Sequence, residues 1–261
     1  MPRFAANLSM LFTELPFLDR FERAAAAGFD AVEFLFPYDW PVHEIKARLD
    51  GNGLRLVLHN LPPGDWERGE RGLACLPDRV AEFRAGVDRA LEYATALGVP
   101  QLHCLSGVEP AGVPADLLHR TYLDNLRYAA EALQRAGIKA LVEPINRFDI
   151  PGIHLHRPSQ AIAVLDEAAC ENLWLQYDLY HAQRTEGELA ATLERWLPRI
   201  AHLQIADNPG RHEPGTGEVN WDFLFAHIDR IGYDGWIGCE YRPAQTTEAG
   251  LGWFRRAKAQ A

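Results

Sequence analysis

Glu143, Asp178, Gln204 and Glu240 are the residues of this sequence whose types and placement best suit chemistry. Each follows an apolar run: Ala140-Leu141-Val142 before Glu143, Leu173-Trp174-Leu175 shortly before Asp178, Leu203 before Gln204, and Ile237-Gly238-Cys239 before Glu240. Carboxylates and amides gain little in a pleated, buried setting. A single one would simply end a strand and face water. Four on successive runs call for a compensating partner, and a divalent cation would serve. Three carboxylates and an amide make an all-oxygen set. Such a set suits Mg²⁺ or Mn²⁺ and tolerates Co²⁺, whereas zinc prefers histidine or cysteine.

Other side chains could complete a site. His181 lies three residues beyond Asp178, within reach of a substrate oxygen, and His59 ends its run in Val57-Leu58-His59-Asn60. Taken singly, each is equally well a histidine under or within a loop. His103 lies inside a run and reads as a hydrogen-bonded core residue, and the pair His154 and His156 reads as a chance spacing. Two loops carry arginines between glycines: 64–72, with Glu70 and Arg71, and 208–218, with Arg211. Turns of that kind suit closure over an anion, although each charge alone reads as part of a solvated turn.

These residues need a frame, and the sequence supplies a regular alternation of apolar runs and amphipathic segments. The runs are 3–10, 30–36, 54–61, 101–105, 139–145, 173–179, 200–206 and 236–241. Helices are expected at about 16–27, 42–50, 78–97, 114–136, 158–169, 186–197, 221–231 and 247–258, with Gly28 as the stop of the first. Eight βα units in a chain of 261 residues predict one (β/α)8 barrel domain over residues 1–261, of α/β class. Strand C-termini converge on one mouth in such a barrel, and active sites are built there. An open doubly wound sheet is the alternative, but no G-x-G-x-x-G follows the first run. Connections after runs three, four, five and seven are long and polar, and the opposite connections are short, which marks one face as functional.

A hydrophobic fraction of 48% supports a sizeable core, and a formal net charge of -10 argues against nucleic acid as a partner. No apolar run is long enough to span a bilayer, and no signal peptide is read. Cys75, Cys104, Cys170 and Cys239 form no C-x-x-C pair and are expected as small core residues in a reduced cytoplasm. Barrels of this kind often pair as homo-oligomers, but no patch for pairing is readable from sequence.

Longer motifs carry a resemblance. Gly64-Asp65-Trp66 with Gly69-Glu70-Arg71-Gly72, Glu143-Pro144-Ile145-Asn146 with Asp149-Ile150-Pro151-Gly152, and Gln176-Tyr177-Asp178 with Tyr180-His181 come first along the chain. His202-Leu203-Gln204-Ile205-Ala206-Asp207, Arg211-His212-Glu213-Pro214-Gly215-Thr216-Gly217-Glu218 and Gly238-Cys239-Glu240-Tyr241 follow. Together they resemble the xylose-isomerase-like TIM barrels, and within them the hydroxypyruvate isomerases and the closely similar 2-oxo-tetronate isomerases. The resemblance implies a divalent metal held by Glu143, Asp178, Gln204 and Glu240. It implies Glu143 and Glu240 as the proton-transfer pair, with His181 and Arg211 near the substrate. His59, Arg71 and Glu70 complete the expected substrate-binding residues. Related keto-sugar epimerases usually carry histidine where Gln204 stands.

The implied reaction moves a proton within a small hydroxy-oxo acid. One glutamate takes a proton from C3 of hydroxypyruvate, and reprotonation at C2 gives tartronate semialdehyde through an enediolate. Which glutamate acts first is open, as is the choice between this substrate and a four-carbon 2-oxo-tetronate. Phe36, Trp66, Phe148 and Tyr241 are candidates for the wall that would decide it. A dehydratase on the same barrel, a multi-zinc nuclease and a non-catalytic binding protein are the remaining alternatives, and the charge and histidine spacing speak against the nuclease.

Overall fold

The computed structural model describes residues 2–259. Eight parallel strands, in sequence order, close into a barrel. They are β1 (Arg3–Asn7), β2 (Ala31–Glu33), β3 (Arg55–Asn60), β4 (Gln101–His103), β5 (Lys139–Val142), β6 (Leu173–Asp178), β7 (Ile200–Ile205) and β8 (Trp236–Cys239). All eight fall within the expected runs, and β1 pairs with β8 to complete the circle. The helices that cover it are α1 (Arg20–Ala26), α2 (Val42–Gly51), α3 (Val80–Leu97), α4 (Ala115–Arg135), α5 (Pro158–Ala168), α6 (Leu179–Gln183), α7 (Leu189–Trp196), α8 (Trp221–Arg230), α9 (Thr247–Gly250) and α10 (Gly252–Ala259).

The period of two along each strand sorts the chain into an outer and an inner layer. Outward residues such as Phe4, Val32, Leu102, Val142, Leu175, Leu203 and Ile237 join the helices in one large apolar cluster. The α4 helix, for example, buries Leu118, Tyr122, Leu126, Ala129 and Leu133 on one face, a spacing of three and four residues. Inward residues differ between the two ends of the barrel. At the strand starts Ala5, Ala31, Val57 and Leu141 pack with Trp174 and Trp236 as a plug. Arg3 and Lys139 lie over the two indoles at 5.0 and 4.5 Å and turn their charges to water. Toward the strand ends the inward positions become polar: Asn7, Glu33, Gln101, His103, Glu143, Gln176, Asp178, His202, Gln204 and Glu240 are all buried.

Two segments differ from expectation. A short helix, α6, follows β6 directly, because Asp178 caps it: its Oδ1 accepts the backbone N–H of Tyr180 (2.7 Å) and His181 (3.4 Å). A strand-ending aspartate is thus also a helix N-cap. The last helix breaks at Leu251 into α9 and α10. The loop after β3 folds back on the barrel through Gly72, at φ 106°. A Cβ there would lie 2.5 Å from the Leu105 carbonyl oxygen, so only glycine admits that approach.

Candidate functional site

The polar ends of the strands open into a cavity of about 430 Å³. Glu143, just after β5, and Glu240, just after β8, both line it, as do His181, Arg211, Arg71 and Trp66. Asp178 and Gln204 are level across the β6–β7 pair, and Gln204 is level with Gly238 on β8. Glu240 lies two residues beyond Gly238, and Glu143 follows Val142, which pairs with Leu175, so the four ligand candidates come from the ends of four neighbouring strands, with Asp178 and Gln204 level.

Glu143 Oε1, Asp178 Oδ2 and His181 Nε2 converge. His181 Nε2 lies 3.7 Å from Glu143 Oε1 and 3.8 Å from Asp178 Oδ2. The three residues offer ligand atoms that all fall within 4.8 Å of one another. Glu143 Oε1 and Asp178 Oδ2 are buried and accept no hydrogen bond among the described residues. Unpartnered buried carboxylate oxygens are costly, and a cation between them would remove the cost, so these residues fit a divalent metal. His181 Nδ1 is held by the Asn146 side-chain amide at 2.6 Å, which aims Nε2 at the two carboxylates. The His181 ring is on the buried α6, not in a surface loop.

The Gln204 amide presents its nitrogen to this centre. Gln204 Nε2 donates to Glu240 Oε2 and to Glu33 Oε1, the latter at 2.9 Å, while its Oε1 accepts from Gln176 Nε2 at 2.6 Å. To act as an oxygen ligand the amide must turn over.

Burial dominates the electrostatics. It pushes the Glu143 carboxyl well above the usual range, and the Glu240 and Asp178 charges push the same way. Burial carries Glu240 to about 8 against the opposing Arg211 charge. Asp178 rises to about 6 by burial, opposed by Arg211 and the two backbone N–H groups. His181 is held well below its ordinary value, by burial first and the Arg211 charge second. Perturbed carboxyls clustered in one cleft are a mark of functional sites.

Arg211 is the arginine bonded to one of these carboxyl groups. Burial lowers its pKa, but Glu240, Asp178, Asp149 and Glu143 outweigh that and raise it. Its Nη2 donates to Glu240 Oε1 at 2.8 Å and its Nη1 to Asp149 Oδ2 at 3.2 Å. The supporting loop is knit by Asp207, whose carboxylate accepts the backbone N–H of Asn208, Gly215 and Val219.

Four expectations change. His59 does not line the mouth cavity: it is wholly buried between Phe34 and Tyr38, with Nδ1 against the Asn60 carbonyl. Burial lowers its pKa to about 4. It faces outward because the alternation slips along β3: Val57 and Leu58 both pack with the inner plug, and the next residue turns to the helices. Glu70 lies against a separate cavity of about 580 Å³, where Arg79 holds its carboxylate at 2.8 Å. Arg71 does reach the mouth, its guanidinium 3.8 Å from the Trp66 ring centre. Among the wall candidates Phe36 packs on Trp66 and Phe148 is exposed, but Tyr241 is buried away against Trp253. His103 has no hydrogen-bond partner on either nitrogen among the described residues; Nδ1 stands 3.5 Å from Glu143 Oε2 at the cavity floor.

Sequence reasoning missed Glu33 and Asn7. Both end strands and point inward, and both touch Gln204 or Glu240. The signal was available, since Glu33 follows Ala31-Val32 as Glu143 follows Leu141-Val142, but it fell inside an overlong run.

A closed parallel barrel with buried carboxylates at its C-terminal mouth is an enzyme of the xylose isomerase-like TIM-barrel class, and the sequence model of that family matches residues 21–257. Hydroxypyruvate isomerase of Escherichia coli (strain K12) is 56% identical, covering 97% of this chain and 98% of its own. The 2-oxo-tetronate isomerase of Cupriavidus necator is 52% identical, covering 98% of each. A solved Brucella melitensis structure, described as an AP endonuclease of family 2, superposes with a TM-score of 0.96 at 46% identity, covering 98% of this chain and 99% of that one. The chain belongs to the hydroxypyruvate isomerase and 2-oxo-tetronate isomerase family of the xylose isomerase-like barrels.

Proposed function

We propose that this protein is a metal-dependent isomerase that converts hydroxypyruvate to tartronate semialdehyde. The observation that carries the reading is the pair Glu143 and Glu240, three strands apart around an eight-stranded barrel and both facing one cavity. Two carboxyl groups on different sides of a small substrate allow one to take the C3 proton and the other to deliver a proton to C2. A bound divalent cation, Mg²⁺ or Mn²⁺ in preference to Co²⁺, would supply the charge that stabilises the enediolate oxygens. Glu143, Asp178 and Glu240 would hold it, with Gln204 as a fourth ligand once its amide turns. His181, fixed by Asn146, keeps a ring nitrogen at the cavity and serves the transfer of the hydroxyl proton. Arg211 and Arg71 offer their guanidinium groups to the substrate carboxylate.

The same machinery on a four-carbon 2-oxo-tetronate is the second reading, favoured by the 52% identical Cupriavidus relative of that name. The nuclease description of the Brucella structure draws no support here: the net charge is -10, and one group of three candidate metal ligands occurs among the described residues. No helix of the described residues is long and apolar enough to cross a membrane. The four free cysteines suit a reducing cytoplasm.

Proton NMR of the metal-loaded protein with hydroxypyruvate in D₂O tests the reading. Wild type should form tartronate semialdehyde and place deuterium at carbon, and Glu240→Gln should not. Absence of product and exchange with Mg²⁺, Mn²⁺ and Co²⁺ removes hydroxypyruvate as the substrate, and the four-carbon acid is then tried.

A further inference from the structure

Beneath the mouth lies a further buried carboxylate that the proposed chemistry does not use. Glu33, on β2, is fully buried. Its Oε1 accepts from Asn7 Nδ2 and from Gln204 Nε2, each at 2.9 Å. Both amide nitrogens also reach Glu240 Oε2, Asn7 at 3.3 Å and Gln204 in a shorter contact. Each NH₂ group thus spends one hydrogen on Glu33 and one on Glu240. Two amides link two carboxylates in parallel, and the arrangement leaves Glu240 Oε1 to Arg211 and the cavity.

Glu33 is fixed from below. His202 Nε2 donates to Glu33 Oε2 at 2.6 Å, and Gln101 Nε2 stands 3.1 Å from His202 Nδ1. Since Gln101 donates there, the ring proton belongs on Nε2, aimed at Glu33. Opposite, β8 has glycine at 238: a Cβ there would come within 2.3 Å of both Glu33 carboxylate oxygens, and the three nearest atoms all belong to Glu33. The backbone of β8 is therefore shaped around this carboxylate.

We infer that Glu33 is a positioning residue for Glu240, acting through the side-chain amides of Asn7 and Gln204. It orients the carboxylate that the proposed reaction uses, and Asn7 keeps that link when the Gln204 amide turns toward the metal. The inference rests on the functional reading above. Outer partners of metal ligands typically govern 10–100-fold in metal affinity or activity, and Glu33 reaches Glu240 through one intervening amide.

The test uses Glu33→Ala, Gly238→Ala and their combination, with thermal melting to confirm folding. Mn²⁺ alone is titrated calorimetrically, and steady-state rates are measured. Glu33→Ala should weaken Mn²⁺ binding by about 10–100-fold and lower kcat by a similar factor with little change in KM. In a Glu240→Ala background the same change should alter the Mn²⁺ Kd less than about twofold, because the group it positions is gone. Gly238→Ala should reproduce the loss by displacing Glu33, and adding it to Glu33→Ala should cost nothing more. Wild-type Mn²⁺ affinity and kcat in Glu33→Ala, or an undiminished penalty in the Glu240→Ala background, overturns the inference. If Glu33→Ala does not fold, Glu33→Asp decides: it keeps the charge but withdraws it by one methylene, so the same losses are expected, and parity with wild type overturns the proposal. Wild type that neither binds Mn²⁺ nor turns over would instead sink the functional reading, and the role of Glu33 with it.

Discussion

Arg211 Nη2 donates to Glu240 Oε1 at 2.8 Å while Nη1 of the same guanidinium holds Asp149 at 3.2 Å. Arg211 therefore restrains a proposed catalytic carboxyl and counters the burial that raises its pKa. Arg211→Ala should lose on the order of 3 kcal/mol of transition-state stabilisation, roughly a hundredfold in kcat/KM, since it strips a buried carboxylate of its partner. Without that charge Glu240 holds its proton to higher pH, so the acidic limb of kcat/KM should move upward. Arg211→Lys keeps the charge but not the fork that reaches both acids, and a loss of roughly tenfold is expected. A pH–rate profile at saturating metal checks both variants, and an unmoved acidic limb would separate Arg211 from the titration of Glu240.

Stability should depend on pH in a way that metal reverses. Burial raises Glu240 from 4.5 to about 8 and Asp178 from 3.8 to about 6. A carboxyl with a raised folded-state pKa binds more protons folded than unfolded, so stability falls as pH climbs toward that value. Histidines work in the opposite sense: His59 and His103 are lowered by burial from 6.5 to about 4 and about 3, and they cost stability only below about 6.5. Between pH 6.5 and 8 the carboxyls act alone. Urea unfolding of chelator-treated protein should show decreasing stability across that window. Mn²⁺ at a hundred times its Kd should restore about 2.7 kcal/mol. A flat profile that ignores Mn²⁺ would argue against a metal at these carboxylates.

Much of this centre is legible without coordinates. Glu143, Asp178 and Glu240 stand out because a charge at the end of an apolar run contradicts strand propensity. Glu33 and Asn7 hide for a geometric reason. Run lengths of seven and eight residues place both in mid-run, whereas β1 and β2 end at them. The register also shifts between Val32 and Glu33 against β3, a local detail with no signature in residue type. His59 misleads in the converse way. A histidine near a strand end faces the mouth or the helices according to parity, and one residue decides which. The dual role of Asp178 as strand end and helix cap is written in its residue type, but only the adjacent α6 reveals it.

Glu70 illustrates a loop residue that acts at a distance. Arg79 holds its carboxylate, and the Asp65 backbone N–H donates to it. The Arg71 guanidinium donates to the Glu70 and Trp66 carbonyls. Glu70→Gln should therefore loosen the loop that presents Arg71. The expected cost is about 1 kcal/mol, a rise of several-fold in KM, with kcat within twofold of wild type. A large fall in kcat would instead bring Glu70 to the reacting atoms. Steady-state kinetics beside an Arg71→Ala control settles the order of effects.

Trp66 is the residue to change if substrate length is set by the wall of the cavity. It lines the mouth, packs on Phe36 with ring centres 5.0 Å apart, and carries the Arg71 guanidinium on its face. Trimming it enlarges the space for one more carbon, and one carbon's worth of packing is worth about 1–3 kcal/mol in discrimination. Trp66→Ala should raise the ratio of kcat/KM for the four-carbon acid over hydroxypyruvate by roughly tenfold. Both absolute values should fall, because Arg71 loses its aromatic support. Trp66→Phe keeps a ring beneath Arg71 while yielding part of the space, so the ratio should rise by a smaller factor and the absolute losses should be slight. A ratio unchanged in both variants would move the length determinant from Trp66 to other lining residues of the cavity, such as Ile145 and Ile150.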